Sequence, residues 1–257
     1  MDFLGRVYDW FADGQNWSGN SGIPNRLIEH LQLTLVAMLI ALVIAFPIGL
    51  VLGHTRRGGN VAVNVSNIGR AIPSFALLVL GAQLWGIGEI EGMSKAALLA
   101  LIALAIPPII TNTYVGMSQV DESIRDSAKG VGMRSTQRML RVELPIALPL
   151  VFAGIRISAL QVVATATLAA VVASGGLGRF IVDGIAVRDF PKVFAGALLV
   201  AALALTIEGV LALGQRVMVS DGLRAEGPRA VRQPGLEAQG SMLLVEAGSI
   251  PNREEAP

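Results

Sequence analysis

The residues that could do chemistry in this chain are concentrated in one polar stretch, Asp126–Pro145, which reads DSAKGVGMRSTQRMLRVELP. Uncharged runs long enough to cross a bilayer precede and follow it. Nucleophilic catalysis requires a nucleophile beside a general base, and the sequence presents no recognisable pair of this kind. We therefore assign no catalytic residue, and the chain is not expected to be an enzyme.

Neither a nucleotide site nor a metal site is indicated by the sequence. A phosphate-binding P-loop contains a Gly-Lys dipeptide, and this chain has none. The glycine-rich run Ser174–Gly178 follows a predicted membrane helix rather than a strand, so it predicts a flexible turn at the membrane surface. His30 and His54 are far apart and lack a ligand-spaced carboxylate or cysteine. We expect no bound cofactor and no metal.

Read locally, the polar stretch predicts two short helices around a glycine. Asp121 is placed to cap the first helix. The apolar residues of that helix recur at a spacing that puts them on one face: Ile124, Ala128 and Val131. Gly132 follows, and because glycine adopts backbone conformations closed to other residues, we expect a sharp turn there. The second helix is predicted from about Ser135 to Leu144, and Pro145 is expected to end it.

The composition of the chain is that of an integral membrane protein. Of its 257 residues, 53% are hydrophobic and 15% are charged, whereas a soluble domain is about 25% charged. The net charge of +1 argues against a nucleic-acid partner. The sequence has no cysteine, which excludes disulfides and thiol chemistry. The predicted fold class is all-α, a polytopic protein in the lipid bilayer.

About five transmembrane helices are predicted, because about 20 apolar residues are needed to cross the hydrocarbon core. The expected spans are 31–53, 61–88, 96–116, 148–173 and 193–219. The second is the weakest, since Arg70 interrupts it and Pro73 favours a break near its start. The half-polar segment between the last two spans has room for a short re-entrant or interfacial helix.

Two ionisable residues lie inside predicted spans. The fourth span is expected to run outward from its cytoplasmic end at Leu148, so Arg156 lies about 12 Å from that end at 1.5 Å per residue. The fifth span runs inward to its cytoplasmic end near Val219, and by the same rise Glu208 lies about 16 Å from that end. Their similar depth predicts an intramembrane ion pair. The alternative is that each side chain snorkels separately to the interface.

The polar stretch also carries a motif that resembles the cytoplasmic loop of permease subunits of bacterial ABC importers. The pattern of that loop is EAA, three residues, Gly, nine residues, Ile, one residue and Leu-Pro. The matching positions keep this spacing throughout: Asp126, Ser127, Ala128, Gly132, Val142, Leu144 and Pro145. Asp for Glu, Ser for Ala and Val for Ile are departures that keep charge, size or branching. The resemblance implies that this docking loop binds a groove on a separate ATPase subunit. The alternative is an ordinary loop that is merely exposed to solvent.

The resemblance extends over about residues 27–219, and outside the loop it is less specific for the substrate than the loop motif is for the importer class. The stretches His30–Leu35, Ile72–Ser74 and Ala164–Thr167, followed by Gly175–Gly178, resemble permeases of osmoprotectant importers, which take up glycine betaine, choline, carnitine or proline. Permeases of methionine-type importers share a similar Gly-Gly-Leu-Gly region, so an importer of another small solute remains an alternative. A channel-like or structural membrane protein without an ATPase is the alternative from a different class.

The resemblance implies several partners. A second permease copy or a paralogue would complete a dimer, two ABC ATPase subunits would bind and hydrolyse ATP, and an extracytoplasmic substrate-binding protein would deliver the solute. In such systems the aromatic cage for a quaternary ammonium is on the binding protein, and this chain is only 5% aromatic. We assign no substrate-binding residue.

The expected topology places the docking loop, residues 117–147, in the cytoplasm of a bacterium and the spans in its inner membrane. Five spans then put the N-terminus outside and the C-terminus inside, in agreement with the positive-inside rule. Residues 1–30 are expected to be an extracytoplasmic segment with a short interfacial helix. Residues 31–219 form the predicted permease domain. Residues 220–257, rich in Gly, Pro and charge, are expected to be a disordered cytoplasmic tail.

Overall fold

The structure is a computed structural model that describes residues 3–59, 63–64, 69, 71–85, 88–90, 93–172 and 174–219. Three parts of the sequence-based prediction fall outside this range. They are the tail at 220–257, most of the first half of the second span, and Arg70 within it.

Nearly all regular structure is helical. The elements in chain order are α1 (Phe3–Ala12), a 3-10 turn (Gly14–Trp17), α2 (Ile23–Thr55), α3 (Ser74–Trp85), β1 (Glu89–Ile90), β2 (Met93–Ser94), α4 (Lys95–Ser118), α5 (Glu122–Gly130), α6 (Ser135–Arg138), a π-helical turn (Met139–Glu143), α7 (Leu144–Ala166), a 3-10 turn (Leu168–Val172), α8 (Gly178–Ala186) and α9 (Phe190–Met218). The two strands form a small antiparallel hairpin in which Glu89 pairs with Ser94.

Within the described residues, four helical segments are long and apolar enough to cross a membrane: Ile23–Thr55, Lys95–Ser118, Ser135–Ala166 and Phe190–Met218. They correspond to the first, third, fourth and fifth predicted spans. The longest described part of the second span is the shorter apolar helix α3, which begins directly after Pro73. The predicted all-α polytopic membrane fold is confirmed.

The prediction that Pro145 ends a helix is wrong. Helix runs continuously from Ser135 to Ala166, because a π-helical turn at Met139–Glu143 precedes the proline and Leu144 N–H donates to the carbonyl of Met139, five residues back. Proline lacks an N–H and crowds the preceding turn. A wider turn accommodates both constraints, and single π turns inside α-helices often mark functional sites.

The fourth span ends as α-helix at Ala166, earlier than the predicted boundary near residue 173. The chain continues as the 3-10 turn Leu168–Val172, and then folds back so that Gly178 lies against the backbone of Thr167. A β-carbon at Gly178 would lie 2.1 Å from the carbonyl oxygen of Thr167. This close approach is possible only for glycine, so the small residues here serve a reversal of the chain rather than a longer span.

The core of the bundle is the contact between α2 and α4, which uses a small residue at every fourth position of α2. All members of this row are buried: Ala37, Ala41, Ala45, Gly49 and Gly53. A β-carbon at Gly49 would lie 2.7 Å from Thr113 Cβ, and one at Gly53 would lie 2.4 Å from Met117 Cβ. Small residues at this spacing let two membrane helices approach closely. The row therefore fixes α2 against α4 along its length.

Helix α1 packs on the end of the bundle where α8 and α9 meet. The Trp10 ring contacts Phe180 of α8 edge-to-face, with centroids 5.3 Å apart, and Phe3 contacts Phe194 of α9 in the same way at 5.6 Å. Helix α8 occupies the half-polar segment where the sequence left room for a short helix. Both short helices thus lie at the end of the bundle opposite the docking loop, as the directions of α2, α7 and α9 require.

Candidate functional site

The first helix of the docking loop is closed at both ends by local hydrogen bonds. The Asp121 side chain accepts from Ser123 N–H at 2.8 Å at the N-terminus. At the C-terminus Gly132 has φ +81°, its N–H donates to the Lys129 carbonyl at 2.9 Å, and Met133 N–H donates to the Ala128 carbonyl at 3.1 Å. This pair of bonds is a Schellman motif, which requires a left-handed residue. Gly132 therefore turns the chain sharply between α5 and α6.

The three apolar residues that the spacing put on one face of α5 differ in exposure. Ala128 is buried together with Arg125, whereas Ile124 and Val131 are exposed. Arg125 thus occupies the inner side of α5, and Val131 is the C-cap that follows the helix. Two apolar side chains consequently point into the solvent from a polar loop, next to Asp126.

Asp126 and Ser127, the first two motif positions, lie on the open side of α5. Asp126 pairs with Lys129 at 2.7 Å. The hydrogen bond from Lys129 and the charge of its ammonium group hold the pKa of the Asp126 carboxyl below its ordinary value. Ser127 Oγ donates to the Ser123 carbonyl at 2.8 Å. The acidic residue of the motif is thus an ionised, solvent-facing group.

The second half of the motif lies at the root of the loop rather than at its tip. Val142, Leu144 and Pro145 are half-buried where the π-helical turn enters α7. Leu144 packs on an apolar cluster with the following buried members: Leu50, Met117, Ala147 and Val151. The motif residues therefore fall into two groups, an exposed one on α5 and an anchoring one below it.

Between these groups lies a buried carboxylate that the sequence analysis did not assign. The Glu143 side chain is completely buried, and three cationic or hydrogen-bonding side chains surround it. Its Oε1 atom lies 3.0 Å from Arg125 Nε and 3.0 Å from Arg138 Nε, and its Oε2 atom lies 2.6 Å from His54 Nδ1. His54 Nε2 is 2.7 Å from Ser135 Oγ. We call Glu143, His54, Arg125 and Arg138 the Glu143 cluster.

One signal in the sequence could have indicated this cluster. Glu143 directly precedes Leu-Pro at the start of an apolar helix, where a carboxylate that enters the bundle needs compensating charge. Several arginines lie within twenty residues before it. The partner His54 could not be identified in this way, because it is 89 residues distant in the chain.

The two ionisable residues inside the spans are brought together. Arg156 of α7 and Glu208 of α9 form an ion pair, and Arg156 Nη1 also donates to Gln215 Oε1 at 2.8 Å. The two side chains are 32% and 28% exposed on the surface of the chain. The pair connects α7 to α9, which is otherwise the least buried of the long helices.

The glycine-rich run after the fourth span is attached to α2. Gly176 has φ +88°, and its N–H donates to Glu29 Oε2 at 2.7 Å. Glu29 also pairs with Arg26 at 2.8 Å. His30 is buried, with Nε2 3.1 Å from the Val163 carbonyl oxygen. These contacts give the run a structural role at the end of the bundle away from the docking loop.

A cavity of about 650 Å³ lies between α2, α7 and α9. Its lining is aliphatic apart from Thr34 and Thr206, and it has no charged and no aromatic side chain. A quaternary ammonium is recognised by stacked aromatic faces, which this lining does not provide. We do not assign the cavity as a substrate site. Among the residues described, no three His, Asp or Glu side chains form a potential metal site.

The comparisons with known proteins agree with this architecture. Residues 28–218 match the family model of the binding-protein-dependent transport system inner membrane component. The choline transport system permease protein OpuBB of Bacillus subtilis is 35% identical over 188 residues, which cover 73% of this chain and 84% of the relative. The osmoprotectant import permease protein OsmY of Salmonella typhimurium is 35% identical over 186 residues, covering 72% and 77%.

A solved structure shares the fold. The inward-facing MetNI methionine ABC transporter contains a chain that superposes with a TM-score of 0.65 at 22% identity, covering 77% of this chain and 96% of that chain. At this identity the likeness concerns the fold alone. The family match spans most of the chain and ends at the last described helix. This protein belongs to the family of inner membrane components of binding-protein-dependent transport systems.

Proposed function

We propose that the chain is the transmembrane subunit of an ATP-driven importer for a compatible solute, namely glycine betaine, choline, carnitine or proline. It works with a second permease chain, with an ABC ATPase that binds the docking loop, and with an extracytoplasmic binding protein that brings the solute. The ATPase hydrolyses ATP, and this chain provides the path through the membrane. The relatives named for choline and osmoprotectant transport support this substrate class.

The observation that carries the proposal is the construction of the docking loop. Its tip exposes Ile124 and Val131 beside the ionised Asp126, and its root is fixed by the buried Glu143 cluster. Exposed apolar side chains on a rigid polar support are typical of a surface that binds another protein. An ordinary solvated loop would gain nothing from a buried charge cluster at its root.

The proposed orientation puts the docking loop in the cytoplasm. The C-terminal end of α2 lies beside the loop, because His54 contacts Glu143 and Ser135. The ends of α4 and α9 and the start of α7 face the same side, since successive spans alternate in direction. With the loop inside, α1 and α8 are extracytoplasmic and the chain after Met218 continues in the cytoplasm.

The test is uptake by the complete complex. The permease, its partner ATPase and the binding protein are reconstituted in liposomes. Uptake of radiolabelled glycine betaine, choline, carnitine, proline and methionine is then measured with and without ATP. We expect ATP-dependent accumulation of at least one of the first four solutes, and none of methionine. Accumulation of methionine alone would contradict the substrate class. Solute flux without ATP would favour a channel and contradict the importer.

A further inference from the structure

The Glu143 cluster joins elements that the fold does not otherwise connect strongly. Arg125 is on α5, Arg138 ends α6, Glu143 ends the π-helical turn, and His54 lies in the last turn of α2. The apolar cluster below this point packs α2 against α4 and α7 but does not include any residue of α5. The polar contacts are therefore what attaches α5 to the end of α2.

The two ring nitrogens of His54 contact two different segments, through Glu143 and Ser135. Its Nδ1 atom faces a carboxylate at 2.6 Å, so this nitrogen must donate, and its Nε2 atom faces the Ser135 hydroxyl at 2.7 Å. Two guanidinium groups already compensate the Glu143 carboxylate. With a proton on Nδ1 the ring donates to Glu143, and Nε2 lies within hydrogen-bond distance of the Ser135 hydroxyl. One ring thus connects α2 to the start of α6 and to the entrance of α7.

Arginine side chains make further ties between α2 and the segment around α5. Arg125 Nη2 donates to the main-chain carbonyl of His54 at 2.5 Å, which is one of the carbonyls that the end of a helix leaves without a partner. Arg56, directly after α2, donates from Nη2 to the Val120 carbonyl at 2.7 Å and forms an ion pair with Glu122. A displacement of α5 must therefore pull on the last turn of α2.

We propose that Glu143 and His54 form the joint that transmits movement of the docking loop to α2. They act as positioning residues, and they lie outside the surface that contacts the ATPase, because Glu143 is completely buried and the His54 side chain is only 12% exposed. The polar contacts of a buried network depend on direction and make it rigid, whereas apolar contacts alone allow two surfaces to slide past each other. The small-residue row of α2 then carries the movement along α4. The inference rests on the proposed function, since it requires an ATPase that moves the loop.

Two substitutions test the joint without leaving a buried charge uncompensated. His54→Leu removes both ring contacts but leaves Glu143 paired with Arg125 and Arg138. Glu143→Asp keeps the negative charge between the two arginines but is one methylene shorter, so it cannot reach all its partners. Removing the carboxylate altogether would bury unpaired guanidinium groups and threaten folding, which is why Glu143→Gln is avoided. Arg57→Gln is the control, because Arg57 is an exposed cation at the end of α2, and the described contacts of the Glu143 cluster do not include it.

The reconstituted complex is measured for three quantities: ATPase bound per permease, ATP hydrolysed, and solute taken up per ATP. For both variants we expect normal ATPase binding, hydrolysis close to wild type and uptake per ATP lowered about tenfold, within the range that residues on a coupling route produce. Arg57→Gln should match wild type in all three. Unchanged uptake per ATP in both variants would overturn the joint. Loss of ATPase binding in proportion to uptake would also overturn it, since the residues would then only support the docking surface. A wild-type complex that shows no ATP-dependent uptake would instead refute the proposed function.

Discussion

Replacing Gly132 by valine is expected to abolish ATP-driven uptake while the permease is still inserted and dimeric. Gly132 has φ +81°, a conformation that costs any other residue about 1 kcal/mol or more, and β-branched side chains are genuine outliers there. A β-carbon at this position would meet no atom within 4 Å. The penalty is therefore backbone strain alone, confined to the turn between α5 and α6.

The expected consequence is a loop with the wrong angle rather than an unfolded protein. The Schellman motif holds α5 in place relative to α6, so a relaxed backbone would rotate Asp126, Ile124 and Val131 away from the proposed contact with the ATPase. We expect the Gly132→Val complex to hydrolyse ATP without dependence on solute, or to lose its ATPase activity.

A neighbouring glycine provides the matched control. Gly130 ends α5, is not among the residues of positive φ, and has equally open space around a β-carbon. Gly130→Ala should be harmless or slightly stabilising, because alanine favours helix over glycine, whereas Gly132→Ala should already impair uptake. Uptake and ATPase assays on both alanine variants separate the two positions. Wild-type behaviour of Gly132→Ala and Gly132→Val would refute the importance of the turn.

The second large effect is expected from the Arg156–Glu208 pair. Each single reversal, Arg156→Glu or Glu208→Arg, places two like charges together inside the spans, where one unpaired charge costs about 2.5–3.5 kcal/mol on insertion scales. We expect both single variants to lose most folded protein and most uptake. The double reversal restores opposite charges, so it should recover part of both.

Gln215 serves as the control for this prediction. Gln215→Ala removes one neutral partner of Arg156 and leaves the ion pair in place, so its effect should be that of a single hydrogen bond, about 1 kcal/mol. Folded protein is measured by size-exclusion chromatography in detergent with a thermal ramp, and uptake is measured in proteoliposomes. If the double reversal is no better than the worse single variant, the two residues do not depend on each other.

The features that the sequence predicted well are those determined by residue type and by spacing within one segment. The spans follow from uninterrupted apolar runs, and the cap at Asp121 and the turn at Gly132 follow from single residue types. The similar depth of Arg156 and Glu208 follows from the helical rise. The small-residue row of α2 can also be recognised in the sequence, since its members recur every four residues.

What the sequence did not predict depends on contacts between distant residues. Which side of α5 faces the bundle is decided by Arg125, whose partner Glu143 is itself aimed inward by a π-helical turn. That turn arises because helix continues through Pro145, and the continuation is stabilised by packing of Leu144 and Ala147 on α2 and α4. The residues around Pro145 alone do not indicate whether the helix continues through the proline or ends before it. His54 likewise acquires its role only through the fold.

The central claim is that the tip of the docking loop is cytoplasmic and is covered by an ATPase. The chain has no cysteine, so Val131→Cys introduces a single thiol at a side chain that is 77% exposed at the tip. Tyr8→Cys does the same on α1, where the side chain is 73% exposed at the other end of the bundle. Each variant is treated with a membrane-impermeant maleimide in intact cells and in inside-out vesicles, with and without the co-expressed ATPase.

We expect Val131→Cys to be labelled only in inside-out vesicles and to be protected when the ATPase is present. Tyr8→Cys should be labelled only in intact cells, after permeabilisation of any outer membrane, whether or not the ATPase is present. Labelling of Val131→Cys in intact cells, or equal labelling in vesicles with and without the ATPase, would contradict the account.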